Sequence, residues 1–140
     1  VIRITFFYTH GTSVPSISHL TLMTSTLYGI SPKVCDTVKK TLQWLEANHL
    51  QVSFFDYREQ PLPPATLDSW IEAIGWEALL NKRSTSFRTL ADEDKQQLDT
   101  EKARQLMLAN PTLIKRPVLQ RGTQVMAGFN ETAYREWFGL

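Results

Sequence analysis

The chain holds one cysteine, Cys35, and it stands where a short strand pattern has ended and a helical pattern begins. Backbone N–H groups without partners point out of a helix start, and the aligned peptide dipoles add roughly half a positive charge there. Both favour a thiolate over a thiol. Lys33, Lys39 and Lys40 bring positive charge nearby, and Lys39, about one helical turn on, is placed to face the sulfur. A lone free cysteine is more often buried filler than a reagent. The junction between strand and helix tips the reading here, and Cys35 is expected to be partly exposed and reactive.

One thiol also restricts the mechanism. No internal disulfide can form, and no second internal thiol can resolve a mixed disulfide. Turnover through Cys35 would need an outside thiol such as glutathione. Arg116-Pro117 is a second feature, because a strand pattern begins directly after it. On the residues alone it reads as a strand-edge proline beside a solvated arginine, since only about 5% of X-Pro bonds are cis. Arg83 and Arg88, in the segment after Leu80, read as solvated charges placed where they can close over an anion.

The elements that would position these residues are legible in the periodicity. Thr26 to Ile30 reads as a short buried strand, followed by the polar loop Ser31-Pro32-Lys33-Val34. Cys35 to Asn48 is helical, with Val38, Leu42 and Leu45 on one face. Gln51 to Tyr57 is a second strand. Pro64 suits the first turn of a helix that carries Leu67, Trp70, Ile71 and Ile74 inward and stops at Gly75. Trp76 to Leu80 is a short helical turn, and Asn81 to Arg88 a polar, basic loop. Ala91 to Asn110 is one broken helix or two short ones, with Ala103, Leu106 and Met107 inward. Val118 to Gln120 and Thr123 to Ala127 form a hairpin turning at Arg121-Gly122. Asn130 caps a last helix whose buried stripe is Tyr134, Trp137 and Phe138. Two strands joined by a helix are expected to be parallel, and the hairpin antiparallel. The reading is an α/β fold: a four-stranded mixed sheet flanked by helices, with a helical insert before the final hairpin.

The 140 residues suit one domain. The net charge is +1, with Lys and Arg spread along the chain, which argues against nucleic-acid binding by phosphate neutralisation. No apolar run approaches the roughly 18 residues of a membrane span. A single cysteine fits a reducing compartment, so a cytoplasmic location is expected. Residues 1–22 stand apart. Ile2, Ile4 and Phe6 alternate with Arg3 and Thr5, then a Ser/Thr/His/Pro stretch follows, without the basic start, apolar middle and small-residue cleavage site of a secretory signal. They read as an amino-terminal extension to a domain spanning 23–140, or as an added edge strand.

Several separated motifs resemble one family in the right order: Thr26-Leu27-Tyr28-Gly29-Ile30, Cys35-Asp36-Thr37-Val38-Lys39-Lys40, Gly75-Trp76-Glu77-Ala78-Leu79-Leu80-Asn81, Leu113-Ile114-Lys115-Arg116-Pro117-Val118 and Gly128-Phe129. The chain resembles the ArsC/Spx/YffB family, the arsenate-reductase-like branch of the thioredoxin fold, and within it the YffB-type proteins. The resemblance implies that Cys35 is the nucleophile and that Arg116 stabilises its thiolate or a bound anion. It implies that Pro117 is a cis-proline beside the sulfur, and that Asn81 and Arg83 line the mouth of the site. It further implies a glutathione-dependent monothiol reductase working through a mixed disulfide at Cys35, with glutathione as co-substrate, no bound cofactor and no metal. A small thiol or disulfide would be the partner of a monomer. The alternative is a non-enzymatic, partner-binding protein of the Spx kind, since fold does not fix function. Three departures sharpen this reading. The loop before Cys35 is two residues longer than usual. Arsenate reductases carry three arginines around the cysteine, where this chain matches only Arg116, with Asn81 and Gly128 or Phe129 at the other places; this weighs against arsenate reduction. Position 38 is valine, which rules out the Cys-x-x-Cys switch of the Spx regulators.

Overall fold

The architecture is that of a computed structural model, which describes residues 24–140. The extension read at 1–22, with its alternating Ile2, Ile4 and Phe6, lies outside the described residues. Strand β1 (Thr26–Gly29) pairs in parallel with β2 (Ser53–Asp56), Leu27 opposite Phe54. The connection between them is helix α1 (Asp36–Ala47). Strand β3 (Val118–Arg121) runs antiparallel to β1, with Leu27 opposite Leu119, and turns into the antiparallel β4 (Gln124–Ala127). The sheet order is β2-β1-β3-β4. This is the four-stranded mixed sheet that the periodicity predicts.

Successive strand residues face opposite sides of a sheet, and β1 shows which helix covers which side. Gly29 faces α1 so closely that a Cβ there would stand 2.9 Å from Val38 Cγ2. Val38, Thr41, Leu42 and Leu45 form the buried face of α1. Tyr28 faces the other way and meets the Trp70 ring edge-on, centroids 4.8 Å apart. Trp70 belongs to α2 (Pro64–Ile74), and its indole donates to Gln120 Oε1 at 2.8 Å. Helix α6 (Glu131–Trp137) closes the α1 side, with Tyr134 edge-on to Trp44 and the Trp137 indole donating to Ser25 Oγ at 3.1 Å. The core therefore lies in two layers, one on each side of the sheet.

The insert between α2 and β3 holds α3 (Trp76–Leu79), α4 (Thr85–Arg88) and α5 (Thr100–Ala109). A 3-10 turn, Asp92–Lys95, precedes α5, and another, Pro111–Leu113, follows it. The region from Ala91 to Asn110 thus divides into two short helical pieces. Helix α4 corrects the reading of 81–88 as loop. Its signal is Ser84, whose Oγ accepts from the Phe87 amide at 3.1 Å and caps a single turn. Helix α5 is tied to α2 by Arg104 Nε, 2.6 Å from Asp68 Oδ1. No helix among the described residues is long and apolar enough to cross a membrane.

Candidate functional site

The parallel pair β1 and β2 ends with both carboxyl termini at the same edge of the sheet, where sites of such sheets gather. From β1 the chain enters the turn Ser31–Val34. The amides of Val34 and Cys35 both donate to the Ser31 carbonyl, at 3.0 and 3.1 Å. Cys35 then caps α1 with extended dihedrals, φ −131° and ψ 109°.

Its burial corrects an expectation. Cys35 is only 9% exposed and belongs to the hydrophobic core, where a partly exposed thiol was expected. The cause is its spacing. Cys35 stands three residues before Val38 and seven before Leu42, so it continues the buried face of α1 at its amino end. Lys39 lies outside that face. Its side chain is exposed and lines neither of the clefts described below, although its amide donates to the Cys35 carbonyl at 3.0 Å. The expectation that Lys39 faces the sulfur rested on a spacing of one helical turn, but Cys35 is buried and Lys39 exposed.

Arg116 and Pro117 reach the same edge from the far end of the sequence. The bond between them is cis, as the resemblance implied. Pro117 is buried, and its carbonyl accepts from the Gly128 amide at 2.8 Å. Gly128 carries φ +81°, a conformation that suits glycine. Asn81 arrives through a feature that periodicity does not reveal, an isolated bridge between Leu80 and Ile114. The Asn81 amide donates to Leu113 at 2.8 Å, and the Lys115 amide to Leu79 at 2.7 Å. This stitch brings the segment after α3 beside Arg116. Asn81 Oδ1 in turn accepts from the Arg83 amide at 3.1 Å.

Two clefts open here and share Asn81, Arg83 and Arg116 as a common wall. The larger, about 660 Å³, adds Thr37 from α1, Phe129, and a mixed set of charges from Glu77, Lys82 and Lys115. The smaller, about 490 Å³, runs from Ile30 and Val34, beside the cysteine, past Arg58 to the hydroxyls of Ser84, Thr85, Ser86 and Thr112. The structure therefore gathers Asn81, Arg83 and Arg116 at the edge of the sheet that carries Cys35.

The Arg116 guanidinium is half held. Its Nη1 donates to the Thr112 carbonyl at 2.9 Å, and its Nε is buried with no partner. The Tyr57 hydroxyl nearby is also buried and unpartnered. Burial pushes this hydroxyl well above the ordinary tyrosine range. The Arg116 guanidinium pulls it back, while Cys35 and Asp56 push it further up. Arg116 approaches the hydroxyl, yet the geometry stops short of a hydrogen bond. Buried polar groups are nearly always partnered, so these two unpartnered groups are the exceptions that ask for an explanation at this edge of the sheet. Tyr57, Arg58, Glu77 and Lys115 were missed from sequence. For the first two a signal exists, since they directly follow β2 at the same sheet edge as Cys35. Among the described residues no group of three or more His, Cys, Asp or Glu side chains gathers to hold a metal ion.

The ArsC family model matches residues 30–137. An uncharacterized protein of Haemophilus influenzae is 42% identical over 113 residues, which span 81% of this chain and 97% of that protein. The solved structure of a YffB protein is 41% identical, aligns with a TM-score of 0.76, and covers 81% of this chain and 97% of its own. The global transcriptional regulator Spx of Streptococcus pyogenes is 28% identical over 108 residues, 76% of this chain and 79% of that regulator.

Proposed function

The chain belongs to the ArsC family, and on that premise we propose that it is a glutathione-dependent monothiol reductase. What supports this reading is the buried Tyr57 hydroxyl, unpartnered like the Arg116 Nε and within electrostatic reach of both Arg116 and the sole cysteine, Cys35. The proposed substrate is a mixed disulfide of glutathione with another thiol. The Cys35 thiolate attacks the glutathionyl sulfur. The substrate S–S bond breaks, a Cys35–glutathione disulfide forms, and the other thiol leaves as thiolate and takes a proton from water. A second glutathione, as thiolate, attacks the glutathionyl sulfur on Cys35 and regenerates the cysteine. The incoming glutathione is the reductant: its sulfur is oxidised as it joins the glutathionyl group that the substrate brought, the two leave as glutathione disulfide, and the departing thiol is the group reduced.

Arg116 supports both steps, since a fixed guanidinium beside sulfur stabilises each thiolate that forms. The larger cleft suits glutathione itself. That tripeptide carries an ammonium group and two carboxylates, and Glu77, Lys82 and Lys115 offer charges of both signs. Arsenate reduction fits less well at the family's arginine places, because Asn81 is neutral and Gly128 bears no side chain. Turnover of a glutathione mixed disulfide, abolished by Cys35→Ser, tests the proposal; mass spectrometry should find the glutathione adduct on Cys35. The likeness to Spx favours one other reading, a partner-binding protein that needs no thiol. Absence of turnover, with a protein partner still captured by Cys35→Ser, would decide for it.

A further inference from the structure

The two clefts differ in charge. The larger carries Glu77 among its cations. The smaller is lined by three guanidinium-bearing residues, Arg58, Arg83 and Arg116, together with Ser and Thr hydroxyls, and by no carboxylate. The carboxylate next in sequence, Asp56, faces the backbone instead: its Oδ1 accepts from the Arg58 amide at 2.8 Å. A wall of guanidinium donors with no carboxylate in its lining selects planar anions such as carboxylates, by charge and by paired N–H donors. The groove is lined by Ile30 and Val34 as well as by Arg58 and Arg83, so it runs up to the turn that leads directly into Cys35, although Cys35 itself is not in its lining.

We propose that this smaller groove is the entry for the oxidised substrate, and that it selects disulfides whose non-glutathione half carries an anionic group close to the sulfur. The assignment rests on the reductase reading for its catalytic meaning, but not for its test. Arg58 and Arg83 would be binding residues, touching the anion, with Arg116 shared between both clefts.

Stoichiometric alkylation of Cys35 in the full chain reads the groove without turnover. Iodoacetate carries a carboxylate and iodoacetamide does not, although both offer the same leaving iodide. The ratio of their rates, iodoacetate over iodoacetamide, should fall about fivefold in Arg58→Ala and in Arg83→Ala, the scale of one lost exposed charge pair. Arg121→Ala, in the hairpin turn and outside both clefts, should leave the ratio unchanged. Both target side chains are exposed, so neither change threatens folding. In turnover, Arg58→Ala should raise KM for the glutathione mixed disulfide of mercaptoacetate and spare kcat and the neutral disulfide of mercaptoethanol. An unchanged alkylation ratio in both variants, or an equal fall in Arg121→Ala, overturns the proposal. So does phosphate that shields Cys35 from iodoacetate better than the unreactive carboxylate acetate does, since the groove would then serve a free oxyanion. A lowered ratio without any turnover would sink the reductase reading and leave the anion groove standing.

Discussion

At the scale of single residues the site is defined by polar atoms that lack partners. Arg116→Ala should slow alkylation of Cys35 by iodoacetamide at neutral pH several-fold, while Arg121→Ala, whose guanidinium lies over the Trp137 ring, should not. Equal behaviour of the two would remove Arg116 from the site. Tyr134 offers a contrast that separates ligand binding from plain structural cost. Its hydroxyl is buried and unpartnered, its ring packs edge-on against Trp44 and Phe129, and Tyr134 itself lines neither cleft. An unsatisfied buried hydroxyl costs about 1–3 kcal/mol. Tyr134→Phe should therefore stabilise the fold by about 1 kcal/mol in denaturant titration, with no effect on Cys35 reactivity. A loss of stability would mean that the hydroxyl has a partner after all. Tyr57→Phe should also be tolerated by the fold, yet alter the reaction of Cys35, because its buried, unpartnered hydroxyl lies within electrostatic reach of Arg116 and Cys35.

At the scale of elements, the contact between β1 and α1 fixes where the cysteine sits. Gly29→Ala would drive a methyl to 2.9 Å from Val38, and Val38 is held in a fully buried layer. The helix must shift or the methyl must strain, at about 1–3 kcal/mol. Thermal unfolding should show the loss, and the cap at Cys35 should move with α1, changing its alkylation rate. Retained stability and rate would show that α1 does not set the position of the thiol. This layer was legible in advance because Val38, Leu42 and Leu45 recur with helical spacing, and Thr26 to Ile30 is a short apolar run of strand length ended by a polar loop. The stitch at Leu80 and Ile114 was not legible, since one bridge has no period. The capping turn before α4 was missed for a similar reason, as a four-residue helix carries a single Ser84 signal and no apolar stripe. Cys35 was placed correctly along the chain and wrongly in depth. Its place at the helix start suggested an exposed thiol, yet its spacing to Val38 and Leu42 puts it on the buried face of α1. Arg116 and Pro117 came from family likeness, because nothing in their own neighbours predicts that they return to the edge bearing Cys35.

At the scale of the whole molecule, ionisation and kinetics follow from the packing. Burial raises the titration of Tyr57 and Tyr134 far above the ordinary value near 10. A raised folded value means that the stability is complete below about pH 10 and is lost as pH climbs from there. Phenolate absorbance from these two rings should therefore appear together with loss of helical circular dichroism above pH 10, and not before it. Smooth titration with the fold intact would contradict their burial. At the acid end, Arg104 holds Asp68 below the usual carboxylate range, so the pair contributes above about pH 4 and is lost as pH falls through the lowered value. Asp68→Asn should cost stability slightly at pH 7 and nothing at the lowest pH, because both side chains are substantially exposed. The common wall of the two clefts has a kinetic consequence as well. On the proposed reductase reading, a glutathione leaning on Arg116 from one side would occupy the same guanidinium that an anionic disulfide would use from the other. The two reactants are then rivals in time, each admitted only to the form of the protein left by the other. Steady-state rates should give parallel double-reciprocal lines, and excess glutathione should throttle the reaction by lodging on the reduced enzyme ahead of its turn.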